Sequence, residues 1–369
     1  MPSPKKFRLE KHTIDPVVSI LGSGPAGASA AIAARREGCA VHLIDRAKFP
    51  RHKVCGEFFS PEIAAELEHL GAWSAFLQSG PARVQRMKLH FGRREKVARL
   101  PEHAWGLSRY TFDALLRDRA QTLGVELLRG PTRKPACDVE REACDDAPTV
   151  IASGRRCSVK PGPRTGARLF GFKAHFDGPA DDAVELFFFG RCYVGVNAIE
   201  NGRTNVCGLG PENFLREYQF DYDRVVGQCP ALAARLAPLI RSTNWFSTGP
   251  LDYFQSFGAR SSGPLSDQSP AARGARYPAG DALSFVDPFT GSGLLAAVKT
   301  GAMAGTAAAR GAPVESYHDA CRASLKQPFE IASIFRSAVE RGWLNDRWTS
   351  WLAAMIPSRA LFALTRPRL

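Results

Sequence analysis

The sequence lacks the long apolar runs of proteins that cross a bilayer. No stretch approaches the roughly 18 uncharged apolar residues that a spanning helix needs. Residues 1–16 are polar and basic, without the apolar centre of a signal peptide. We therefore expect a cytoplasmic protein with a flexible basic N-terminus, whose contact with a membrane would be peripheral.

Paired cysteines are also missing. The nine cysteines stand singly, and no Cys-x-x-Cys pair occurs among them. An odd and scattered set does not predict a disulfide framework or a zinc cluster. We expect mostly reduced cysteines and no metal site.

The sequence has no basic helix and no aromatic–basic platform, although its formal net charge is +13. The arginines are dispersed, so nucleic acid is not an expected partner. A charge of this size is typical of a solvated basic surface, and it also suits an anionic cofactor, an acidic carrier protein or a lipid surface.

The strongest pattern that is present lies in residues 17–45. The apolar run Val17–Leu21 predicts a buried strand, and the turn Gly-Ser-Gly-Pro-Ala-Gly follows it at once. An alanine-rich helix, Ala26–Glu37, and a second strand, Ala40–Ile44, complete the unit. A strand–turn–helix–strand unit with these glycines predicts a dinucleotide site, with the phosphates at the helix N-terminus.

Each glycine of the turn has an expected role. Gly22 permits the tight turn, Gly24 lets the backbone approach a pyrophosphate, and Gly27 lets the helix pack closely on the sheet. Asp45 ends the second strand, where a carboxylate can bind both hydroxyls of an adenosine ribose. Since an acid there disfavours a 2′-phosphate, the dinucleotide is predicted to be FAD or NAD rather than NADP.

A second glycine motif follows about 258 residues after the first, at 280–305. The pair Gly280–Asp281 ends a short strand, so the Asp281 carboxylate can accept hydrogen bonds from a ribityl hydroxyl. The sequence Asp-Pro-Phe-Thr-Gly-Ser-Gly then turns into a helix, Gly293–Arg310, whose amides can face an electron-rich ring. Both features suit a flavin.

These motifs, with Lys-Val-Cys-Gly-Glu at 53–57 and Gly-Leu-Ser-Arg-Tyr-Thr-Phe-Asp-Ala-Leu-Leu at 106–116, resemble FAD-dependent oxidoreductases of the geranylgeranyl reductase type. That family is a branch of a larger group that includes the aromatic hydroxylases and the flavin-dependent halogenases. The resemblance covers most of residues 17–310. It implies an α/β fold of the p-hydroxybenzoate hydroxylase kind: a Rossmann-type FAD-binding lobe, an inserted antiparallel sheet that binds the substrate, and C-terminal helices.

The implied domains are discontinuous. The FAD-binding domain comprises residues 17–80, 101–165 and 276–310, and the substrate-binding sheet comprises residues 81–100 and 166–258. Residues 259–275 are a predicted loop, and residues 311–369 a C-terminal helical segment.

The resemblance also implies where individual residues act. Arg109 is expected near the phosphates or the ribityl chain, Cys55 and Gly56 beside the isoalloxazine, and Gly291 and Gly293 near its pyrimidine edge. The full predicted FAD set is Gly22, Gly24, Pro25, Ala26, Gly27, Asp45, Arg46, Cys55, Gly56, Arg109, Gly280, Asp281, Pro288, Gly291 and Gly293.

Cys55, Glu57 and His52 are the candidates for moving a proton beside the flavin. Cys55 is equally compatible with a packed thiol that has no chemistry. The predicted substrate is apolar, of prenyl, lipid, polyketide-like or aromatic type. Aromatic residues that could line its pocket, although such residues at strand spacing are also typical of plain core, are Phe58, Phe59, Phe172, Phe189 and Tyr193.

Departures from the related families leave the reaction open. The hairpin reads Tyr-Val-Gly-Val-Asn-Ala-Ile at 193–199, where geranylgeranyl reductases carry Tyr-x-Trp-x-Phe-Pro-Lys, and the Trp-x-Trp-x-Ile-Pro motif of the halogenases is absent. Monooxygenation and hydride transfer at a carbon–carbon bond therefore both remain, with NAD(P)H as the expected transient donor. Two alternatives of other classes are an NAD-dependent dehydrogenase and a non-catalytic binder of hydrophobic ligands with a decayed flavin site.

Overall fold

The computed structural model describes residues 17–92, 94–130, 147–154, 168–251, 274–284 and 291–325. Several sequence predictions fall outside these ranges. They are the basic N-terminus, most of the loop at 259–275, Pro288, and the C-terminal helical segment beyond residue 325.

Within the described ranges, five strands form a parallel sheet. The strands are β1 (Val17–Leu21), β2 (Ala40–Asp45), β6 (Glu126–Arg129), β7 (Thr149–Ile151) and β14 (Arg276–Pro278). Their order in the sheet is β14-β7-β1-β2-β6, and every pairing is parallel. Four of the five β1 residues are buried, because helices cover the sheet; this explains the continuous apolar run in the sequence.

The second sheet is mixed and has nine strands in the described part of the chain. The strands are β3 (Phe58–Phe59), β4 (Ala82–Phe91), β5 (Arg94–Gly106), β8 (Leu169–Asp177), β9 (Ala183–Phe189), β10 (Cys192–Ala198), β11 (Arg203–Pro211), β12 (Ile240–Arg241) and β13 (Phe246–Leu251). Their order in the sheet is β12-β8-β11-β10-β9-β4-β5-β3, and β13 also pairs with β8. The pairing of β4 with β9 is parallel, whereas the other pairings are antiparallel. The predicted α/β architecture with an inserted sheet is confirmed, and the inserted sheet is mixed rather than purely antiparallel.

The helices of the described residues contribute to the hydrophobic cores of both sheets. They are α1 (Pro25–Arg36), α2 (Ile63–Leu70), α3 (Trp73–Gln78), α4 (Arg109–Thr122), α5 (Glu212–Glu217), α6 (Tyr222–Val226), α7 (Pro230–Leu236), α8 (Gly293–Ala309) and a further helix, α9, from residue 314 to at least 325. No helix among the described residues is both long and apolar enough to cross a bilayer.

Two local predictions differ from the structure. The sequence predicts a helix that begins at Pro61 with Ser60 as its side-chain cap, but α2 begins at Ile63. Ser60 and Pro61 instead form a tight turn, in which the Ile63 amide donates to the Ser60 carbonyl at 3.0 Å. The pair Asn201–Gly202 predicts a hairpin with the positive φ values of a type I′ turn. Both residues do have positive φ, 61° and 68°, but the loop has three residues, because the Ile199 amide donates to the Arg203 carbonyl.

Candidate FAD-binding site

The glycine turn between β1 and α1 leaves no room for side chains. Gly22 has a φ of +98°, and a Cβ there would lie 2.3 Å from the Ala152 carbonyl oxygen. A Cβ at Gly27 would lie 1.7 Å from the Gly22 carbonyl oxygen. Both contacts are with backbone that cannot move aside, so the turn requires glycine at these two positions.

The N-terminus of α1 is suited to an anion. Gly24 is the N-cap and gives no side-chain hydrogen bond, and Pro25 occupies the first turn. No acidic residue lies in that turn, so no carboxylate of the helix itself competes with an anion for the first amides and the helix dipole. Helix α1 is otherwise built of small residues, and Ala26 and Gly27 are both buried.

Asp45 lies at the end of β2, as predicted, and its carboxylate is held by the glycine turn. Its Oδ2 accepts hydrogen bonds from the Ser23 amide at 2.7 Å and the Ser23 hydroxyl at 2.9 Å. Its Oδ1 accepts from the Ala47 amide at 2.8 Å. Arg46 is half-buried beside it. Ser23 thus fixes the carboxylate that is predicted to bind the adenosine ribose.

Arg117 is a residue of this region that sequence reasoning missed. It lies on α4, donates to the Ser23 hydroxyl, and its guanidinium lies 4.2 Å from the ring centroid of Phe49. Burial lowers the pKa of Arg117, and the nearby Asp45 opposes that shift. An arginine in the middle of a helix carries no local motif, so only the tertiary structure identifies it.

Arg109 lies at the start of α4, where Ser108 caps the helix by accepting from the Thr111 amide. Its guanidinium forms a two-point ion pair with Asp113 at 2.6 and 2.8 Å, and both side chains are buried. Burial alone would lower the pKa of Arg109, but Asp113 more than offsets this and raises it. A Cβ on Gly24 would lie 3.7 Å from Arg109 Nη2, so this cation lies beside the glycine turn, as the predicted phosphate or ribityl contact requires.

The two glycine motifs meet where α8 packs on α1. A Cβ at Gly301 would lie 2.1 Å from the Ala26 carbonyl oxygen, and a Cβ at Gly305 would lie 2.1 Å from that of Ala30. Gly280 has a φ of +59°, and a Cβ there would lie 2.9 Å from the Ala26 Cβ. The helices therefore pack backbone to backbone, and this close packing brings residues 22–27 and 280–281 to one end of the parallel sheet.

Asp281 lies in a short turn directly after β14. The Gly280 amide donates to the Thr300 hydroxyl on α8 at 3.0 Å, which ties the turn to the helix. Burial lowers the pKa of Lys53, nearby Arg109 lowers it further, and Asp281 opposes the shift. Lys53 therefore lies close enough to the charges of Arg109 and Asp281 for both to act on it.

Gly291 and Gly293 flank the start of α8. Gly291 has a φ of +65°, and a Cβ there would lie 2.8 Å from Phe58. Neither Gly293 nor Gly56 would place a Cβ within 4 Å of another described atom. The backbone at these two predicted flavin contacts is therefore open to a ligand.

We expect Asp281→Ala to weaken FAD binding by about 10- to 150-fold, the range that corresponds to loss of a charge-assisted hydrogen bond of about 1.5–3 kcal/mol. Titration of flavin-free protein with FAD, followed by fluorescence quenching, measures the dissociation constant. Asp319→Ala is a matched control on α9, because its carboxylate is exposed and pairs with exposed Arg322 at the surface. Equal dissociation constants for the Asp281 variant and the wild type would show that Asp281 supports the fold instead.

The segment 52–57 brings the three predicted proton-handling residues into one cluster. Glu57 is fully buried, has a φ of 53°, and lies at its centre. Its Oε1 accepts from the Arg109 amide at 2.6 Å and from Lys173 Nζ, and its Oε2 lies 2.7 Å from His175 Nε2. Burial raises the pKa of Glu57, but His175 and Lys173 together lower it below the ordinary value, so the carboxylate is ionised at neutral pH.

Cys55 and His52 lie on either side of this carboxylate. The Cys55 thiol is half-buried, accepts a hydrogen bond from the Glu57 amide at 3.4 Å and lies beside Arg109. The His52 ring stacks on the Phe246 ring, with 5.0 Å between the ring centroids, and meets the His175 ring edge-on, with 5.3 Å between the centroids. Burial, helped by Lys173 and His175, lowers the pKa of His52, so its imidazole is neutral at pH 7.

Lys173, His175 and Asn205 also belong to this cluster, and sequence reasoning missed them. A signal was available in β8, which reads Leu-Phe-Gly-Phe-Lys-Ala-His-Phe-Asp. Charged or polar residues at alternate positions of an otherwise apolar strand indicate that one face meets polar groups.

The five predicted pocket residues pack in three hydrophobic clusters of the described residues. Phe59 packs with Phe76 and Phe112 beside the parallel sheet, Phe172 and Phe189 pack in the core of the mixed sheet, and Phe58 and Tyr193 pack in a third cluster. Phe58 also approaches a cofactor motif, at Gly291. The contact of these residues with a substrate stays a prediction.

The residues present fit FAD. The glycine turn at the end of β1 has the close backbone approach that a pyrophosphate needs, with a buried arginine beside it. Asp45, the predicted adenosine contact, ends β2, and Asp281, the predicted ribityl contact, lies in the turn after β14. The backbone of Gly56 and Gly293, predicted to lie beside the ring, has open space around it. A dinucleotide extending from Asp45 to Gly293 would contact both motifs.

Comparisons with known proteins agree with this geometry. Residues 15–134 match the profile of the FAD-binding domain family. Menaquinone reductase of Mycobacterium tuberculosis is 35% identical over 117 residues, which are 31% of this chain and 28% of that protein. Tryptophan 2-halogenase of Chondromyces crocatus is 30% identical over 147 residues, 38% of this chain and 27% of that protein. The chain thus spans less than a third of the length of these curated relatives.

The likeness of the fold extends over nearly the whole chain. A triple variant of the flavin-dependent brominase Bmp2 superposes with a TM-score of 0.75 at 18% identity, covering 94% of this chain and 93% of that one. The predicted resemblance to FAD-dependent oxidoreductases is therefore confirmed: residues 15–134 match the FAD-binding domain family, and the chain shares its fold with a flavin-dependent brominase.

Proposed function

We propose that this protein is an FAD-dependent oxidoreductase that acts on an apolar substrate. The observation that carries the proposal is the convergence of Gly24, Arg109 and Gly280 at one end of the parallel sheet. A pyrophosphate-binding turn, a buried cation and a ribityl-binding acid at one place suit one dinucleotide. An NAD-dependent dehydrogenase would not need the second glycine motif, and a decayed binder would not keep both motifs packed together.

Hydride transfer at a carbon–carbon bond or to a quinone is the reaction that we favour. It is supported by the 35% identity to a protein named for menaquinone, an apolar quinone, and by the Cys-Gly pair of the 53–57 segment. Monooxygenation is the second candidate, and the fold shared with a brominase favours it. The missing Trp-x-Trp-x-Ile-Pro motif argues against halogenation itself.

Bound FAD would supply the redox step, and the chain would bind and orient the reactants. Arg109 would neutralise the phosphates, and Asp281 would hold the ribityl chain. Among the three predicted proton-handling residues, Glu57 is fully enclosed and already bound by several donors, so we assign it a positioning role. Cys55 and neutral His52 are then the candidates that hold or accept a proton.

The electron donor and the presentation of the substrate are further parts of the proposal. NAD(P)H is the proposed transient donor, as in the flavoprotein families that the motifs resemble. The net charge of +13 supports delivery of the substrate by an acidic carrier or from an anionic membrane surface.

The absorption spectrum of the purified protein tests the central assignment. A flavin spectrum, or saturable uptake of FAD by colourless protein, supports it; a colourless protein that takes up no FAD contradicts it. Menaquinone and other apolar acceptors should then be screened for stimulation of NAD(P)H oxidation, with oxygen uptake followed in parallel. Stimulation without oxygen uptake indicates hydride transfer, and stoichiometric oxygen uptake indicates monooxygenation.

We expect Cys55→Ser to change turnover while FAD content and melting temperature stay close to those of the wild type. A hydroxyl preserves the shape of the thiol but is a much weaker acid, so a proton held at the sulfur would be lost. Rapid-mixing measurements of flavin reoxidation by substrate give the rate. Cys229→Ser, at a buried thiol of the mixed-sheet core, is the control. Turnover that survives, or that falls only in proportion to lost flavin, would make Cys55 a packing residue.

A further inference from the structure

One face of the mixed sheet is polar although it is fully buried. Lys173 and His175 on β8, and Asn205 on β11, each have no exposed surface. Asn205 lies directly opposite His175 in the strand register, so these side chains share one face. The alternate residues Phe172, Ala174 and Val206 pack in the apolar core on the other face.

This polar face holds the 53–57 segment by its backbone. Asn205 Nδ2 donates to the Gly56 carbonyl at 2.8 Å and to the Cys55 carbonyl at 3.3 Å. Lys173 Nζ donates to the Lys53 carbonyl at 3.2 Å. Three hydrogen bonds to backbone carbonyls, those of Lys53, Cys55 and Gly56, therefore fix the part of the chain that carries Cys55.

The same face fixes the start of α4. Glu57, which is bound by Lys173 and His175, accepts from the Arg109 amide, and its own carbonyl accepts from the Leu107 amide at 3.1 Å. Glu57 holds a left-handed backbone conformation, with a φ of 53°, that a residue with a side chain rarely adopts. The polar face thus connects Cys55 and Arg109, which are two of the predicted FAD contacts.

Stability alone does not explain these residues. An apolar set of similar volume is often as stable as a buried ion pair, or more stable. Hydrogen bonds, however, have directions that apolar packing lacks. The Oδ1 atom of Asn205 has no hydrogen-bond partner within the described ranges, so the described hydrogen bonds of this side chain are all made to the loop.

We propose that Asn205, Lys173 and His175 are positioning residues that hold the Cys55–Gly56 backbone against the flavin-binding lobe. The proposal rests on the proposed function in that it concerns the residues predicted to lie beside the isoalloxazine. Asn205 is the most direct of the three, because it binds the loop without taking part in the Glu57 ion pair.

Cys55 itself provides the test. FAD-loaded wild type and Asn205→Ala are treated with iodoacetamide, and the labelling of Cys55 and Cys229 is measured by peptide mass spectrometry. Cys229 is buried in the mixed-sheet core and reports opening of the whole sheet. Asn197→Ala is the matched control, since Asn197 is a buried asparagine directly opposite Asn205 that donates to the Ala198 carbonyl instead of the loop.

We expect Asn205→Ala to raise the Cys55 labelling rate, relative to that of Cys229, by about tenfold, the ratio that corresponds to about 1.4 kcal/mol of local stability. The Asn197 variant should leave this ratio unchanged. A ratio in Asn205→Ala equal to that of the wild type, or equal to that of Asn197→Ala, overturns the proposal. If Asn205→Ala does not fold, Asn205→Leu, which keeps the branched shape and removes the donor, replaces it under the same criteria.

Failure of the proposed function gives a different result. A wild type that takes up no FAD contradicts the oxidoreductase assignment, and the labelling ratios of the flavin-free proteins still decide whether Asn205 holds the loop. A flavin-containing wild type with unchanged ratios contradicts the positioning role alone.

Discussion

Gly301→Ala is expected to abolish tight FAD binding and to destabilise the protein by about 3 kcal/mol or more, the upper range for overpacking of a close-packed site. The added methyl group would lie 2.1 Å from the Ala26 carbonyl oxygen, so α8 must move away from α1. Since Ala26 belongs to the phosphate turn and α8 holds the Asp281 turn through Thr300, this movement separates the two halves of the cofactor site.

Thermal unfolding and FAD titration together test this expectation. Thr306→Ala, on the same helix but half-buried and outside the glycine contact, should leave both quantities close to those of the wild type. Wild-type affinity for FAD in Gly301→Ala would show that the contact between α1 and α8 does not determine the site.

Lys173→Met is expected to lower the free energy of unfolding by about 3–5 kcal/mol at pH 7, because it leaves the buried Glu57 carboxylate without its cation. Glu57→Gln combined with Lys173→Met should recover most of this loss, since neither side chain then carries a charge. Denaturant unfolding of the two single variants and the double variant gives the coupling between the residues. A double variant as unstable as Lys173→Met would contradict the charge explanation.

The same ion pair predicts a dependence on pH. The pKa of Glu57 in the folded protein lies below its ordinary value of 4.5, because His175 and Lys173 outweigh burial. The stabilisation is therefore complete above about pH 4.5 and is lost as the pH falls through the folded-state pKa. Below about pH 4.5, the difference in the free energy of unfolding between the wild type and Lys173→Met should therefore become smaller.

Local motifs predicted the nucleotide-binding part of this fold because they act over short distances. The strand Val17–Leu21 has the predicted bounds, and Gly22 and Gly27 meet backbone as a tight phosphate turn requires. Helix and strand ends elsewhere differ from the prediction by one or two residues, as in α2, where Ser60 forms a turn rather than a side-chain cap. The pairing of strands distant in sequence, such as β4 with β9, has no local signal at all.

The sequence by itself determined the kind of cofactor site: a glycine turn after an apolar strand, an acid at the end of the next strand, and a second glycine motif that returns late in the chain. These features depend on backbone conformation and on residues a few positions apart. Only the tertiary structure decided which side chains surround Cys55, because β8 and β11 lie more than 100 residues beyond it. Burial of Lys173 and His175 against Glu57 is a property of the sheet face, and a face exists only after the strands have paired.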